Sequence, residues 1–175
     1  MNYFQLFDIE NSFDIDLQNL SSSYQALQKA VHPDKYAHAS EQEQRIAVQK
    51  SAQINDAYQT LKNPLLRAEY ILVERGVDMP NEQSSFSDTS FLMHQMELRE
   101  MLEEIQFASD IDAALFEAQQ VLATEFQQLS KTMQAQISEN SEASNISACD
   151  NLRKLKFYQK LNVEVDRLED SLLND

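Results

Sequence analysis

A single glycine in 175 residues is the feature that most narrows the folds open to this chain. Tight turns of a many-stranded sheet use glycine for backbone angles that other residues disfavour, and phosphate-binding loops use several glycines in one short segment. Gly76 alone would have to serve all of these roles, and the chain contains only three prolines. The sequence therefore predicts an all-α protein without a P-loop or a dinucleotide-binding loop.

The N-terminal part of the chain predicts two amphipathic helices separated by a turn. Apolar side chains recur at helical spacing on both sides of that turn; they are Leu20, Tyr24, Leu27 and Val31, and then Ala47, Ile54, Ala57, Tyr58 and Leu61. Pro33 ends the first helix because it has no N–H and disfavours helical backbone before it. A loop over 35–39 follows, and Ser40 with Glu43 forms a capping box for the second helix. We expect an antiparallel hairpin with the His-Pro-Asp tripeptide at 32–34, here termed the HPD tip, at its exposed end.

Shorter helices over residues 3–7 and 65–75 are predicted to flank the hairpin. Asn63 followed by Pro64 is typical of a helix start, since asparagine caps the first turn and proline fits its first position. Gly76 is typical of the position just after a helix end. The first domain is therefore expected to end near this glycine.

The remainder of the chain predicts a linker and a bundle of three helices. Residues 76–87 lose helical periodicity and collect turn-forming residues. Asp88 is expected to cap the first helix of the bundle, Ser109 with Asp112 to open the second, and a polar break over 138–144 to precede the third. The predicted organisation is a first domain over 1–75, a linker over 76–87 and an antiparallel three-helix bundle over 88–175.

Negative charge is concentrated in the second part of the chain. The net charge is −15. Residues 1–75 contain 7 Lys+Arg and 10 Asp+Glu, a net charge of −3, whereas residues 76–175 contain 7 and 19, a net charge of −12. Nucleic-acid binding relies on clustered Lys and Arg, so this balance argues against it and suits basic protein partners.

Several other site classes are disfavoured by the sequence. A lone Cys149 excludes an internal disulfide and a multi-cysteine zinc site. His32 and Asp34 have no third ligand at metal-binding spacing, so we expect neither a metal site nor a catalytic centre there. No apolar run approaches the roughly 20 residues that span a bilayer, and the first residues do not resemble a secretory signal. We therefore expect a cytoplasmic protein.

The helix that follows Asp88 carries apolar side chains on two opposite faces. At about 100° per residue, one face is expected to point to the bundle core; it holds Phe91, Leu98, Leu102 and Ile105. The mean direction of Leu92, Met93 and Met96, here termed the Leu/Met stripe, lies about 160° away. One helix of a three-helix bundle cannot bury both faces, so the stripe predicts a partner-binding surface. The alternative is that the first domain packs on it.

Motifs across residues 1–75 resemble the J-domain of DnaJ-like co-chaperones. They are the Tyr-Phe-Gln-Leu-Phe opening at 3–7, His32-Pro33-Asp34-Lys35, the Ile-Asn-Asp-Ala-Tyr-Gln-Thr-Leu segment at 54–61 and the Pro-Leu-Leu-Arg-Ala-Glu-Tyr segment at 64–70. Residues 91–100 and 152–157 resemble the HscB family, the J-proteins of bacterial iron–sulfur cluster assembly. The resemblance covers nearly the whole chain.

This resemblance implies a co-chaperone that is not itself an enzyme. It implies that the J-domain stimulates ATP hydrolysis by the DnaK-class chaperone HscA, and that the C-terminal bundle delivers the iron–sulfur scaffold protein IscU to that chaperone. The cysteine-rich N-terminal extension of some mitochondrial relatives is missing, so we expect no metal and no cofactor on this chain.

Two sets of residues carry these roles by resemblance. Chaperone binding falls to the HPD tip and its neighbouring lysines, which are His32, Pro33, Asp34, Lys29 and Lys35. IscU binding falls to a set here termed the client surface, which is Leu92, Met93, Met96, Glu97, Glu100, Glu104 and Phe157. The helix before the HPD tip is less basic than in general J-domains, which predicts docking that is either weak or specific to one chaperone.

Three other functions remain open at this point. A J-protein with a different client would share the HPD tip but would not bind IscU. A helical adaptor without catalytic activity would bind partners without changing ATP turnover. A metal-dependent hydrolase is the remote enzyme alternative.

Overall fold

The computed structural model describes residues 1–81 and 86–174, which form α-helices and short 3-10 helices without strands. The chain divides into two compact units, Met1–Gly76 and Val77–Asp175. The helices are α1 (Tyr3–Leu6), α2 (Leu17–Val31), α3 (Glu41–Lys62), α4 (Pro64–Glu74), α5 (Thr89–Glu104), α6 (Ile111–Glu139) and α7 (Glu142–Leu173). This is the predicted all-α fold. The predicted linker includes residues 82–85, which lie outside the described residues.

Helices α2 and α3 form the predicted hairpin of the first unit. Leu20 and the small or apolar residues of α3 are buried between them. Nearer the HPD tip, the ring of Tyr24 stacks on that of Tyr58 with centroids 4.0 Å apart. Still closer to the tip, Ser51 Oγ donates a hydrogen bond of 2.8 Å to Gln28 Oε1, and Gln28 Nε2 donates one of 3.1 Å to the Ser51 carbonyl. These contacts hold the two helices together along the hairpin.

Helices α1 and α4 cover the base of the hairpin. Phe4 and Phe7 are almost fully buried. The rings of Tyr3 and Tyr70 stack with their centroids 4.5 Å apart, and the Tyr3 backbone N–H donates a hydrogen bond of 2.9 Å to the Tyr70 hydroxyl. The first unit ends where Gly76 takes a left-handed φ of 86°, a conformation that glycine adopts without strain.

Arg67 is a buried cation that ties α4 to the end of α3. Its side chain is 6% exposed, and Nη1 donates a hydrogen bond of 2.7 Å to the Leu61 carbonyl. Its guanidinium lies 4.9 Å from the centre of the Phe13 ring, and burial lowers the pKa of the group from its ordinary value. Arg67 therefore satisfies a helix-end carbonyl and fixes the segment between α1 and α2.

Replacement of Arg67 by Met is expected to lower the free energy of unfolding of the first unit by about 1.5–3 kcal/mol, the usual worth of a hydrogen bond from a charged donor. The matched control is Arg45→Met on the exposed surface of α3. The free energy of unfolding of each variant is measured by denaturant titration, with hydrogen exchange at the α3 and α4 amides as the readout. Equal stability of the two variants would contradict the assigned role of Arg67.

In the second unit, α6 and α7 form a long antiparallel hairpin, and α5 packs along part of it. Lys154 Nζ lies 3.1 Å from Asp88 Oδ2 at the start of α5, and Arg99 Nη1 lies 3.3 Å from Glu164 Oε2 further along both helices. Because both pairs follow the same chain order, α5 runs parallel to α7. The shared core contains Phe91, Leu98, Leu102, Ile105, Leu115, Ala118, Leu122, Tyr158, Leu161 and Val165. In the segment that precedes α5, the Met79 sulfur accepts a hydrogen bond of 3.4 Å from the Cys149 thiol of α7. No helix of the described chain is long and apolar enough to span a membrane.

Local predictions at three turns need correction. The first residues of the loop predicted over 35–39 belong to a 3-10 helix, Pro33–Tyr36, which is capped by the side chain of His32. Helix α6 is capped by Asp110, whose side chain accepts from the Ala113 N–H at 3.1 Å, rather than by Ser109. The predicted break over 138–144 is only two residues long, because Asn140 adopts a left-handed conformation and Ser141 starts α7 with a capping box.

Candidate functional site

The HPD tip joins the end of α2 to the 3-10 helix Pro33–Tyr36. His32 ends α2 with φ −56° and ψ 129°, close to the polyproline-type backbone that is favoured before proline. Pro33 then occupies the first position of the 3-10 helix, where its missing N–H leaves no unsatisfied donor. The backbone of the HPD tip is therefore fixed by local interactions.

The His32 ring is oriented by its own backbone neighbour. Its Nδ1 accepts a hydrogen bond of 3.2 Å from the Asp34 N–H. Because Nδ1 acts as the acceptor in this bond, the neutral form of the ring carries its proton on Nε2. The Asp34 carboxylate is 3.5 Å from the same Nδ1, and this approach is not an ion pair in that tautomer. The side chains of His32 and Asp34 are 55% and 93% exposed, so a donor and a charged acceptor stand side by side at the surface.

The structure brings both candidate lysines next to His32. Gln28, Lys29, His32 and Lys35 line one shallow groove of about 410 Å³. Lys29 is exposed in the last turn of α2, and Lys35 is exposed in the 3-10 helix. The groove side of the tip is therefore positively charged, with the Asp34 carboxylate beside it.

The Leu/Met stripe lies on the exposed side of α5. Leu92, Met93 and Met96 are 37%, 61% and 65% exposed, whereas the core-facing side chains Phe91 and Leu98 are 8% and 3% exposed. Glu97, Glu100 and Glu104 are exposed along the same side of the helix. The result is an apolar strip with a row of carboxylates along one edge.

Phe157 borders the opposite edge of this strip but is also part of the bundle packing. Its ring meets Phe91 edge-on at 5.8 Å, and the Arg99 guanidinium lies 5.5 Å from its centre. Arg99 and Leu92 are about 20° apart around α5, so Phe157 lies on the Leu92 side of the stripe. It is half-buried, unlike the three stripe residues.

Basic side chains of α7 stack on the aromatic cluster beside the client surface. Lys154 Nζ lies 5.1 Å from the centre of the Phe91 ring, and the Arg153 guanidinium lies 4.4 Å from that of Phe86. Lys154 also donates a hydrogen bond of 3.1 Å to Asp88 Oδ2, and this bond is the main reason that the pKa of the Asp88 carboxyl is lowered. These contacts fasten the start of α5 to α7.

A polar network behind the stripe was not predicted from the sequence. His94 Nε2 lies 2.9 Å from both Glu125 oxygens, and its Nδ1 lies 3.3 Å from Glu97 Oε2. The Tyr158 hydroxyl donates to Glu125 Oε2 at 2.7 Å. The network joins α5, α6 and α7, and it holds the helix that carries the Leu/Met stripe. The helical pattern places His94 at the boundary of the core, but its partners lie on other helices.

Protonation of His94 is favoured by this network. Hydrogen bonding to Glu125 raises the pKa of His94 above its ordinary 6.5, with a smaller contribution from Glu97 and partial opposition from burial. Burial and the bond to Glu125 also raise the pKa of Tyr158, so its hydroxyl stays protonated as a donor. The higher pKa widens the pH range over which His94 is a cation hydrogen-bonded to Glu125.

The stability contributed by His94 is expected to decline as pH rises. The folded state binds the proton more tightly than the unfolded state, so the contribution is complete below pH 6.5 and is lost as pH rises through the higher folded pKa. The melting-temperature difference between the wild type and His94→Gln should be larger at pH 6 than at pH 8.5. Calorimetry at both pH values tests this, and a difference that grows with pH would contradict it.

Among residues 1–81 and 86–174, no group of three or more His, Cys, Asp or Glu side chains is placed to hold a metal ion. The candidate residues instead present a donor–acceptor pair at the HPD tip and an apolar strip on α5.

Comparisons with known proteins cover both units. Residues 2–70 match the DnaJ domain, and residues 87–166 match the HSCB C-terminal oligomerisation domain. The chain is 78% identical to a protein of Colwellia psychrerythraea named co-chaperone protein HscB homolog, over the full length of both.

Solved structures agree with this assignment. Chaperone HscB from Vibrio cholerae is 46% identical to the chain and superposes with a TM-score of 0.93, covering 98% of this chain and 99% of its own. Human co-chaperone protein HscB is 28% identical, with a TM-score of 0.88 over 98% of this chain and 84% of its own. The chain therefore belongs to the HscB family of co-chaperones, in which a J-domain is followed by a helical C-terminal domain.

Proposed function

We propose that this co-chaperone stimulates the ATPase of HscA and delivers the scaffold protein IscU to it, in support of iron–sulfur protein maturation. A co-chaperone with a J-domain implies a DnaK-class partner. The observation that carries the proposal is the presence, in one chain, of an exposed HPD tip on the first unit and an exposed Leu/Met stripe on the second.

The HPD tip is suited to docking on a chaperone through charge-assisted hydrogen bonds. The Asp34 carboxylate is 93% exposed and offers two oxygens to an arginine of the partner. His32 presents a donor at Nε2 while its Nδ1 is held by the Asp34 backbone. Lys29 and Lys35 line the neighbouring groove and fit an acidic surface. Because local contacts fix the tip before binding, little conformational entropy is lost on docking.

Stimulation requires no bond-breaking step on the co-chaperone. A ligand that binds one conformation of a two-state partner more tightly shifts the partner's equilibrium by that difference in binding free energy. We infer that the HPD tip binds the hydrolysis-competent conformation of HscA more tightly than its resting conformation. ATP hydrolysis then takes place in the chaperone active site.

The client surface is suited to an apolar ridge with basic neighbours. Leu92, Met93 and Met96 provide adaptable apolar contacts, since methionine side chains adjust to the shape of a partner. Glu97, Glu100 and Glu104 supply negative charge along one edge. This combination favours IscU binding through desolvated apolar contacts, with the carboxylates fixing the orientation.

Formation of a ternary complex tests the delivery function. Sedimentation of this chain with apo-IscU and ATP-bound HscA should give one species containing all three proteins, since the HPD tip and the client surface lie on different units. Mutually exclusive binding of HscA and IscU would contradict the proposal. Binding of HscA without IscU would identify a J-protein with another client.

A further inference from the structure

We propose that the client surface continues past Glu104 into a groove between α5 and α6, and that this groove takes an apolar side chain from a basic segment of the bound client. This inference rests on the proposed client-binding function and extends its contact area. It is carried by an exposed phenylalanine, an open groove beside it and the charge of the groove's edge.

The groove lies where α5 turns into α6. It has a volume of about 540 Å³ and is open on one side. Its lining residues are Met101, Glu104, Ile105, Phe107, Ala108, Ala114, Glu117 and Ala118. Small alanine side chains on the α6 wall leave room for a side chain of a partner. Met101 of α5 and Ile105 of the following 3-10 helix make the opposite wall apolar.

Phe107 stands exposed at the edge of this groove. Its side chain is 81% exposed, although it sits in the short 3-10 helix Ile105–Phe107, whose neighbour Ile105 is buried. An exposed aromatic side chain on a fixed turn, beside an apolar groove, is typical of an anchor in a protein–protein contact.

The charge at the groove indicates the chemistry of its occupant. The charged residues that line it, Glu104 and Glu117, are both exposed carboxylates. Asp110 and Asp112 follow Phe107 closely in the chain and are also exposed. A basic segment complements this edge, whereas a second copy of this unit would bring like charges together.

Glu104 links the groove to the client surface. It lines the groove and also ends the row of client-surface carboxylates on α5. Around the helix it lies about 40° from Glu100 and about 60° from Met101. The contact would therefore run about 18 Å along α5 from Leu92 to Glu104 and continue to Phe107 in the 3-10 helix that follows.

Titration calorimetry with apo-IscU tests the groove with two matched pairs of variants. We expect Phe107→Ala to weaken binding about tenfold, as truncation of an aromatic anchor does, whereas Phe116→Ala should leave it unchanged. Phe116 is also exposed on this unit, at 63%, and does not line the groove. Glu117→Lys should weaken binding about fivefold at low salt and less at high salt, and Glu139→Lys near the other end of α6 should not.

The outcomes separate this inference from the function on which it rests. Affinities of Phe107→Ala and Glu117→Lys within twofold of wild type, together with weakened binding by Met93→Ala, would overturn the groove and leave the client surface intact. Absence of IscU binding by the wild type would overturn the proposed function itself. Self-association of the wild type that Phe107→Ala removes would assign the groove to a second copy and also overturn the inference.

Discussion

Replacement of His32 by Gln is expected to remove stimulation of HscA while leaving the fold intact. Stimulation of the single-turnover ATPase rate should fall to about a tenth of the wild-type value or less, a change of about 1.4 kcal/mol or more. The fold should persist because the 3-10 helix Pro33–Tyr36 contains no buried residue and the hairpin contacts lie further along α2 and α3.

The reason for this loss is found in the two nitrogens of the imidazole. Nδ1 fixes the orientation of the ring by accepting a hydrogen bond from the Asp34 N–H. Nε2 is then available to donate a hydrogen bond to the partner. Glutamine places an amide donor at a similar distance but loses the fixed orientation. Asparagine at position 32 retains a cap for the Asp34 N–H but has no donor at the position of Nε2. Both variants should therefore fail to stimulate HscA, for different reasons.

The matched control for these variants is His38→Gln, which alters an exposed histidine that follows the HPD tip by a few residues. Circular dichroism and thermal unfolding should show all three variants folded as the wild type is. A His32→Asn variant with full activity would show that the Nδ1 cap alone is required. Full activity of His32→Gln and His32→Asn together would remove the HPD tip from the mechanism.

The second large effect is expected on the client surface. Simultaneous replacement of Leu92, Met93 and Met96 by Ala should weaken IscU binding by about 2–4 kcal/mol, which is roughly 30- to 1,000-fold. These side chains are exposed, so their loss should leave the bundle stable. Stimulation of HscA in the absence of IscU should be unchanged, since the HPD tip lies on the other unit. Titration calorimetry measures the affinity.

A triple control is available in the same unit. Phe116, Ile146 and Val163 are apolar residues of comparable exposure, at 63%, 54% and 48%, on α6 and α7. Their replacement by Ala removes similar exposed apolar area outside the client surface. If both triple variants bind IscU equally well, the Leu/Met stripe has no special role in client binding.

Phe157 needs a separate experiment because it serves two roles. It borders the stripe, but its ring also packs edge-on against Phe91 and beneath Arg99. Truncation to Ala should therefore lower both client affinity and the stability of the second unit. Phe157→Leu retains much of the packing volume and should lose more affinity than stability.

The sequence predicted those parts of the fold that depend on local chemistry. The stop at Pro33, the capping box at Ser40 and the position of Gly76 just past the end of α4 each follow from backbone preferences of single residues, and the structure confirms them. The two faces of α5 followed from helical periodicity alone. Residues at turns between helices were less predictable, as Asp110 shows, because neighbouring Ser and Asp side chains compete for the same capping position.

What the sequence could not predict depends on contacts between helices. His94 is an ordinary boundary residue until Glu125 meets it from α6, and Tyr158 of α7 donates to that same carboxylate. Arg67 in the apolar α4 pattern offers no sign that its guanidinium caps a carbonyl at the end of α3. The groove at Phe107 likewise requires the angle between α5 and α6, which the sequence pattern does not contain.

The most direct measurement of the central claim is the single-turnover ATPase rate of HscA with this chain, with IscU, and with both. If the first unit acts on the chaperone and the second carries the client, each addition alone should raise the rate modestly, and the two together should raise it by more than the sum of their separate effects. A rate that stays at its basal value with both proteins present would contradict the account.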